Sequence, residues 1–345
     1  MSSDQDPTLR PLTYADAGVD IERADVAKER IKMLARTTFS AAVLSDVGSF
    51  GGLFRLDPLA LNRPVLVSSA DGVGTKLKIA IATGRNDGVG YDLVSHCIND
   101  ILVQGARPLF FLDYLAMGKL DTEVAASVIS GMAEACREFG LALLGGETAE
   151  MPGFYQPGDY DIAGTIVGVV EEDRILDGSR VRKGDRLVAL ESWGLHTNGY
   201  SLARKVFFEQ EGLSPDSHVA AIGGSVADIL LARHRCYLRE LEPLLDVDAV
   251  HAMAHITGGG LTDNIPRVLP EGLGVRIDLR ALKPQPVFRY MMERGAVPQD
   301  DMLRTFNLGV GMVLIVADED SARVPGGWTI GEVVAGSGVS YEGSL

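Results

Sequence analysis

Two domains of mixed α/β (α+β) architecture are what this sequence predicts, on three observations. Helix-like and strand-like apolar patterns intermix through both halves of the chain rather than segregating. A polar run, Glu171-Glu172-Asp173, interrupts them at the middle. A length of 345 residues also exceeds what one hydrophobic core usually serves. The first domain is therefore expected over residues 1–172 and the second over 173–345.

Each element follows from its local pattern. Residues 1–10 are polar, carry Pro7 and lack an apolar core, so they read as a loose tail rather than a secretory leader. Residues 22–37 set charged and apolar groups at helical spacing, and a glycine-rich stretch follows before a compact β-like run from Pro64. Residues 76–83 and 89–104 read as helices, the second strongly amphipathic. Strand-like 108–116, helical 121–139, a short strand 141–144 ending at Gly145-Gly146, and a strand over 162–170 complete the first half. The second half offers strands near 186–190, 249–255, 273–278, 310–316 and 328–334. Its helices fall near 199–211, 225–245, 261–269 and 286–294. No repeat of 20–50 residues is visible.

Composition excludes several classes. A net charge of −15, from 32 basic and 47 acidic residues, repels nucleic-acid backbones and anionic membranes. No apolar run reaches the length of a membrane span. Cys97, Cys136 and Cys236 are odd in number and lie in helix-like apolar patterns. They read as buried, reduced thiols, not as a disulfide framework or zinc site. The 40 glycines are the unusual count, and they cluster between strand-like and helix-like runs, where a backbone can approach a phosphate closely.

Five stretches carry candidate chemistry. Asp71-Gly72-Val73-Gly74-Thr75-Lys76 runs from a strand into a helix, where free amides favour an anion. Asp71 is a candidate for magnesium, Thr75 and Lys76 for phosphate; a tight turn with Asp71 as helix cap remains the competing reading. Asp92, His96 and Asn99 share one helical face with Asp100 beside them. That face reads either as oxygen ligands for a metal or as a polar stripe, with His96 as a hydrogen-bonded core histidine. Gly145-Gly146-Glu147, with Glu150, suits a ligand-facing loop. His196, Thr197, Asn198 and Ser201 either cap a helix or grip a phosphate. Thr257-Gly258-Gly259-Gly260, with Asn264, reads as a phosphate cradle, because three consecutive glycines are costly to order otherwise.

Taken together, Tyr14-Ala15-Asp16-Ala17-Gly18-Val19-Asp20, the 71–76 loop, Asn99-Asp100 with Val103-Gln104-Gly105-Ala106, Gly145 to Pro152, His196 to Ser201, the Gly258 loop and Phe306 to Met312 resemble the AIR synthetase family. They stand in that family's order and span residues 14–315. The resemblance implies an ATP-dependent closure of an imidazole ring on formylglycinamidine ribonucleotide. It also implies magnesium, a cytoplasmic location, and a homodimer whose N-terminal domains build the interface sheet. Carried over residue by residue, Lys32, Asp71, Gly72, Gly74, Thr75, Lys76, Asp92, Asn99 and Glu147 would contact ATP. Asp71, Lys76 and Asp100 would be catalytic, with Asp71, Asp100 and Glu147 on the metal. His196, Thr197, Asn198, Thr257, Gly258, Gly259, Gly260 and Asn264 would face the ribonucleotide. Ser45, Asp46 and Ser49 stand where the family often has glycine, and Ala70 where it tends to have threonine.

Relatives on similar scaffolds are the nearest alternative: a thiamine-monophosphate kinase, a selenophosphate synthetase, or the amidotransferase of the preceding purine step. The second would carry a reactive cysteine near the N-terminus, where the first here is Cys97. The third needs an ammonia source, and no nucleophile-elbow cysteine is present. A non-catalytic nucleotide sensor would keep the glycine loops but lose acidic ligands, and Asp71, Asp100 and Glu147 are all retained.

Overall fold

The computed structural model describes residues 21–49, 51–56 and 61–345, with 21–24 as main chain only. The expected 1–10 tail, the 14–20 motif and Phe50 of the glycine-rich stretch lie outside the described residues.

The first half runs α1 (Ile21–Arg36), β1 (Pro64–Gly72), α2 (Leu77–Thr83), α3 (Asp87–Leu102), β2 (Arg107–Met117), α4 (Thr122–Phe139), β3 (Ala142–Glu150) and β4 (Tyr160–Glu171). Its sheet has the order β1-β4-β2-β3. β2 and β3 are parallel, as a crossover through α4 requires, while β4 runs antiparallel to β1 and β2. The Asp121 side chain starts α4 by accepting from the main-chain N–H groups of Glu123 and Val124. Val89 to Leu102 of α3 is buried almost without interruption, so this helix lies between the sheet and the second half of the chain.

The second half runs β5 (Arg186–Glu191), α5 (Tyr200–Arg204) prolonged by a π turn (Lys205–Gln210), the small β6 (His218–Val219) and β7 (Gly224–Ser225), α6 (Val226–Leu230), α7 (Leu238–Leu245) and β8 (Val250–His255). It continues with α8 (Gly260–Asn264), β9 (Leu273–Asp278), α9 (Pro286–Arg294), α10 (Gln299–Thr305), β10 (Val310–Val316), β11 (Trp328–Ala335) and β12 (Gly338–Glu342). The six strands are ordered β12-β9-β11-β5-β10-β8. β10, the continuous apolar run, is buried at every position between β5 and β8.

Three expectations change. β3 does not stop at Gly145-Gly146 but continues to Glu150, because β2 supplies pairing partners along the whole stretch. The helix expected over 261–269 tightens to a 3₁₀ turn at Ile265–Val268, where Pro266 removes a donor. The helix expected over 225–245 breaks between α6 and α7. There the main chain bonds to first-half side chains instead: Ala232 O accepts from Lys76, His234 N donates to Asp92, Arg235 O accepts from Asn99, and Tyr237 N donates to Asn99. α10 and β12 were not anticipated.

Among the described residues, helices cover one face of the first sheet. On the other, Leu66 is 57% and Tyr114 40% exposed.

Candidate active site

Two cavities, each about 700 Å³, are built from the predicted motifs. The first lies between the two halves, against the end of β1, α3, the end of β8 and the 257–268 segment. Asp71 reaches it from the last residues of β1, opposite Gly164 of β4. Asp100 reaches it from α3, one turn after His96.

Both carboxylates converge on one point. His96 Nε2 stands 2.8 Å from Asp71 Oδ2 and 3.5 Å from Asp100 Oδ2. Ser69 Oγ donates to Asp100 Oδ2 at 3.1 Å, and His255 Nδ1 lies 2.8 Å from Asp100 Oδ1. Burial works against ionisation of each carboxyl, but His96 beside Asp71, and His255 and His96 beside Asp100, outweigh it and hold both below the usual carboxylate range. Burial likewise opposes charge on His96, and the two aspartates reverse it, raising the imidazole. His255, more dominated by burial, moves down.

Asn198, Thr257, Gly258 and Arg267 line the same cavity. Arg267 is its one Lys or Arg among the described lining residues, and its guanidinium donates to Asn264 Oδ1 at 3.2 Å. Asn264 also borders the cavity, and its amide donates to the carbonyls of Gly258 and Gly260, so it shapes the glycine loop while only 3% exposed. Gly260 is a packing position: a Cβ there would stand 2.1 Å from Leu303 O, and its φ is +59°. Of the three glycines, only Gly258 borders the cavity.

Several expected contacts are corrected. Lys76 is fully buried, with Nζ 2.6 Å from Asp92 Oδ2 and 2.6 Å from Ala232 O. Asp92 and Asn99 are equally buried and hold the main chain of the 231–237 segment. These three latch the halves together rather than line either cavity, because α3 is covered on this side by the second half. His196 is 0% exposed; its Nε2 accepts from Trp193 N and its ring stacks on His234 at 3.9 Å. Thr197 turns inward to His96 Nδ1, at 2.8 Å. Thr75 Oγ1 bonds Ser201 Oγ, and Gly72, Gly74 and Gly259 border neither cavity.

Glu147 leaves the metal trio. The row Asp71–Gly164–Asp113–Gly146 crosses four strands, which puts Asp71 and β3 roughly 14 Å apart at the usual strand spacing. Glu147 instead borders the second cavity, with Lys32 of α1, the 46–52 segment and the β2–β3 edge. Lys32 Nζ bonds Glu29 at 2.7 Å. The departures in this segment have partners of their own. Asp46 pairs with Arg36, whose hydrogen bond holds its carboxyl down to about 2, and Ser45 Oγ accepts from Leu53 N. The added negative charge of Asp46 is thus matched on the spot. Glu150 is directed at the main chain of Leu120.

His255, Arg267 and Asp113 escaped the sequence reading. His255 immediately precedes the 256–260 loop, and Asp113 interrupts the apolar run of β2; both were visible signals. Cys97, Cys136 and Cys236 are free and buried, as expected.

Comparison with known proteins bears on this geometry. The family model described as AIR synthase related protein, N-terminal domain, matches residues 56–170, and its C-terminal counterpart matches 182–343. A phosphoribosylformylglycinamidine cyclo-ligase of Sorangium cellulosum is 51% identical over 341 residues, 96% of this chain and 98% of that protein. One of Geobacter sulfurreducens is 52% identical over 317 residues, 92% of this chain and 91% of that one. Among solved structures, thiamine-monophosphate kinase of Stenotrophomonas maltophilia shares the fold, with a TM-score of 0.67 at 19% identity over 92% of this chain and 95% of its own.

Proposed function

The chain belongs to the AIR synthase family, alongside phosphoribosylformylglycinamidine cyclo-ligases, and from that premise we propose how its two cavities divide the reaction. It is an ATP-consuming ligase of purine biosynthesis. ATP phosphorylates the formamide oxygen of formylglycinamidine ribonucleotide, the amidine nitrogen attacks the resulting iminophosphate carbon, and phosphate leaves as the imidazole ring of 5-aminoimidazole ribonucleotide closes. An amide oxygen is a poor leaving group until it is phosphorylated, and because both reacting ends belong to one molecule, what a cavity adds to closure is their orientation.

The ribonucleotide occupies the cavity between the halves. Arg267, Asn198 and the Gly258 amide supply the cation and donors that a sugar phosphate needs. Asp71 and Asp100 carry the reading: two ionised carboxylates aimed at one position, where His96 now stands. Hard, anionic oxygens at a cavity wall fit magnesium, and Asp71 and Asp100 would hold it. What such an ion supplies when bound is neutralisation of charge on the transferring phosphoryl group. His255 acts one step back, as a positioning residue on Asp100. The nucleotide enters by the second cavity, where Lys32 provides charge and residues 46–49, 51 and 52 form part of the wall.

We place the domain boundary at 172/173, between the end of β4 and the start of β5. The open face of the first sheet supports a homodimer. No described helix is long and apolar enough to cross a membrane. A cytoplasmic location is our reading, in keeping with three free buried thiols. Purified protein given ATP, magnesium and formylglycinamidine ribonucleotide is expected to release ADP, phosphate and an aminoimidazole. Absence of that product, with phosphoryl transfer to thiamine monophosphate instead, would overturn the reading.

A further inference from the structure

Asp113 sits in the middle of β2 and is only 8% exposed, yet it borders the second cavity. The reason is its neighbour on β3: a Cβ on Gly146 would lie 2.1 Å from Asp113 Oδ1. The missing side chain leaves a window through which the carboxyl meets the cavity. Among the described residues no Lys, Arg or His side chain reaches it, and its hydrogen bond is to its own main-chain N–H. A buried carboxyl that meets no cation and no donor beyond its own main chain costs stability. Its retention at a cavity wall points to a donor that arrives with the ligand.

The surroundings say what kind of ligand. Ile31, Ala35, Leu112, Leu143 and Leu144 give the cavity an aliphatic lining suited to a flat heteroaromatic ring, while Lys32 and the glycines of the 46–52 segment sit where charge and amides are available to a phosphate tail. We infer that Asp113 is a specificity-determining residue that accepts a hydrogen bond from the exocyclic amino group of the adenine base, so that this cavity selects an adenine nucleotide. This rests on the reading of the second cavity as the ATP site. A base with a carbonyl at that position would set acceptor against acceptor, and a site whose buried polar group is left unpaired rejects such an analogue. Burial, and then Glu147, push the Asp113 carboxyl up to about 7, so the acceptor-only carboxylate that rejects a base carbonyl prevails above that pH, while the protonated form below it can donate to either base.

Calorimetric titration with ATP, inosine triphosphate and 2′-deoxy-ATP, run above about pH 8 where the Asp113 carboxyl is ionised, tests this without needing turnover. Wild type is expected to bind ATP at least tenfold more tightly than inosine triphosphate, and Asp113→Ala to bring the two within threefold by weakening ATP alone. Asp113→Asn keeps the volume and offers a donor as well as an acceptor, so it should also compress the ratio. Both unliganded variants should melt at or above the wild-type temperature, since an unpaired buried carboxyl has been removed. Equal weakening of ATP and inosine triphosphate, or a loss confined to the comparison with 2′-deoxy-ATP, would assign Asp113 to the phosphate or sugar and overturn the inference. So would a lowered melting temperature in Asp113→Asn with the ATP preference intact. A chain that prefers ATP through Asp113 but forms no aminoimidazole would sink the cyclo-ligase reading and leave this one standing.

Discussion

Asp100 is the side chain on which most of the site converges, with Ser69, His96 and His255 all directed at its two oxygens. Replacing it with asparagine keeps the shape and removes one of two negative charges. Asp100→Asn should lower kcat by on the order of 10²-fold with unchanged circular dichroism, the scale seen when one preorganised electrostatic contact is lost. A kcat within threefold of wild type would remove Asp100 from the chemistry. His255→Ala, acting through Asp100, should lower kcat by about 10–100-fold while the KM for ATP stays put. A changed KM with unchanged kcat would reassign His255 to substrate contact. At this scale the sequence was half legible. Asp71 and Asp100, which the fold brings to one cavity wall, stand out because an acid at a strand end and an acid on an apolar helix are locally anomalous. Lys76, Asp92 and Asn99 looked equally anomalous, yet their polarity serves a contact with a segment some 140 positions later, which no local pattern announces.

The elements tell the same story through the break between α6 and α7. Helical periodicity was read correctly for α1, α3 and α4, where intrahelical bonds and one apolar face decide the outcome. Between Leu231 and Tyr237 the intrahelical pattern loses to side chains of α2's entrance and α3 that cap the same carbonyls and N–H groups. β3 was underestimated for a related reason: its glycines and glutamates lack strand propensity, and the pairing supplied by β2 overrides that. The latch can be tested. Lys76→Met strands Asp92 as an uncompensated buried charge and should cost about 3–5 kcal/mol in urea unfolding. Adding Asp92→Leu should recover most of that loss. The KM for ATP in the double variant should lie within twofold of wild type. A double variant that folds normally and no longer binds ATP would return Lys76 and Asp92 to the nucleotide site.

For the whole molecule, the junction between halves buries His196 and His234 with their pKa values well below 6.5, first by burial and then by neighbouring histidines and Lys76. A depressed folded-state value means that below about pH 6.5 the unfolded chain takes up protons the native one refuses. The stability these two histidines contribute is therefore full above that pH and lost as pH falls, by up to about 2.7 kcal/mol per pH unit if both contribute, while His96, raised by its aspartates, works in the opposite sense above about pH 6.5. Denaturant midpoints at pH 7.5 and 5.5 check this, and His234→Gln should flatten the slope. A second consequence lies on the other side of the first sheet. Register places Leu66 beside Val169, and Val167 beside Phe110, on the face that no described helix covers; Phe110 packs there on Phe54 at 5.4 Å between ring centroids. Leu66 leaves more than half its surface in water there, whereas its alternation partner Val67 is buried under α3. Exposed apolar positions on three strands, Leu66 and Ala70 of β1, Ala163 of β4 and Tyr114 of β2, rather than one scattered leucine, mark an interface, and a second copy offers the self-complementary surface that two-fold symmetry needs. Sedimentation velocity should find wild type at twice the monomer mass and Leu66→Arg as monomer, because the arginine would bring like charges together at the two-fold. Wild type sedimenting as a monomer at micromolar concentration, or Leu66→Arg remaining dimeric, would move the interface off this sheet.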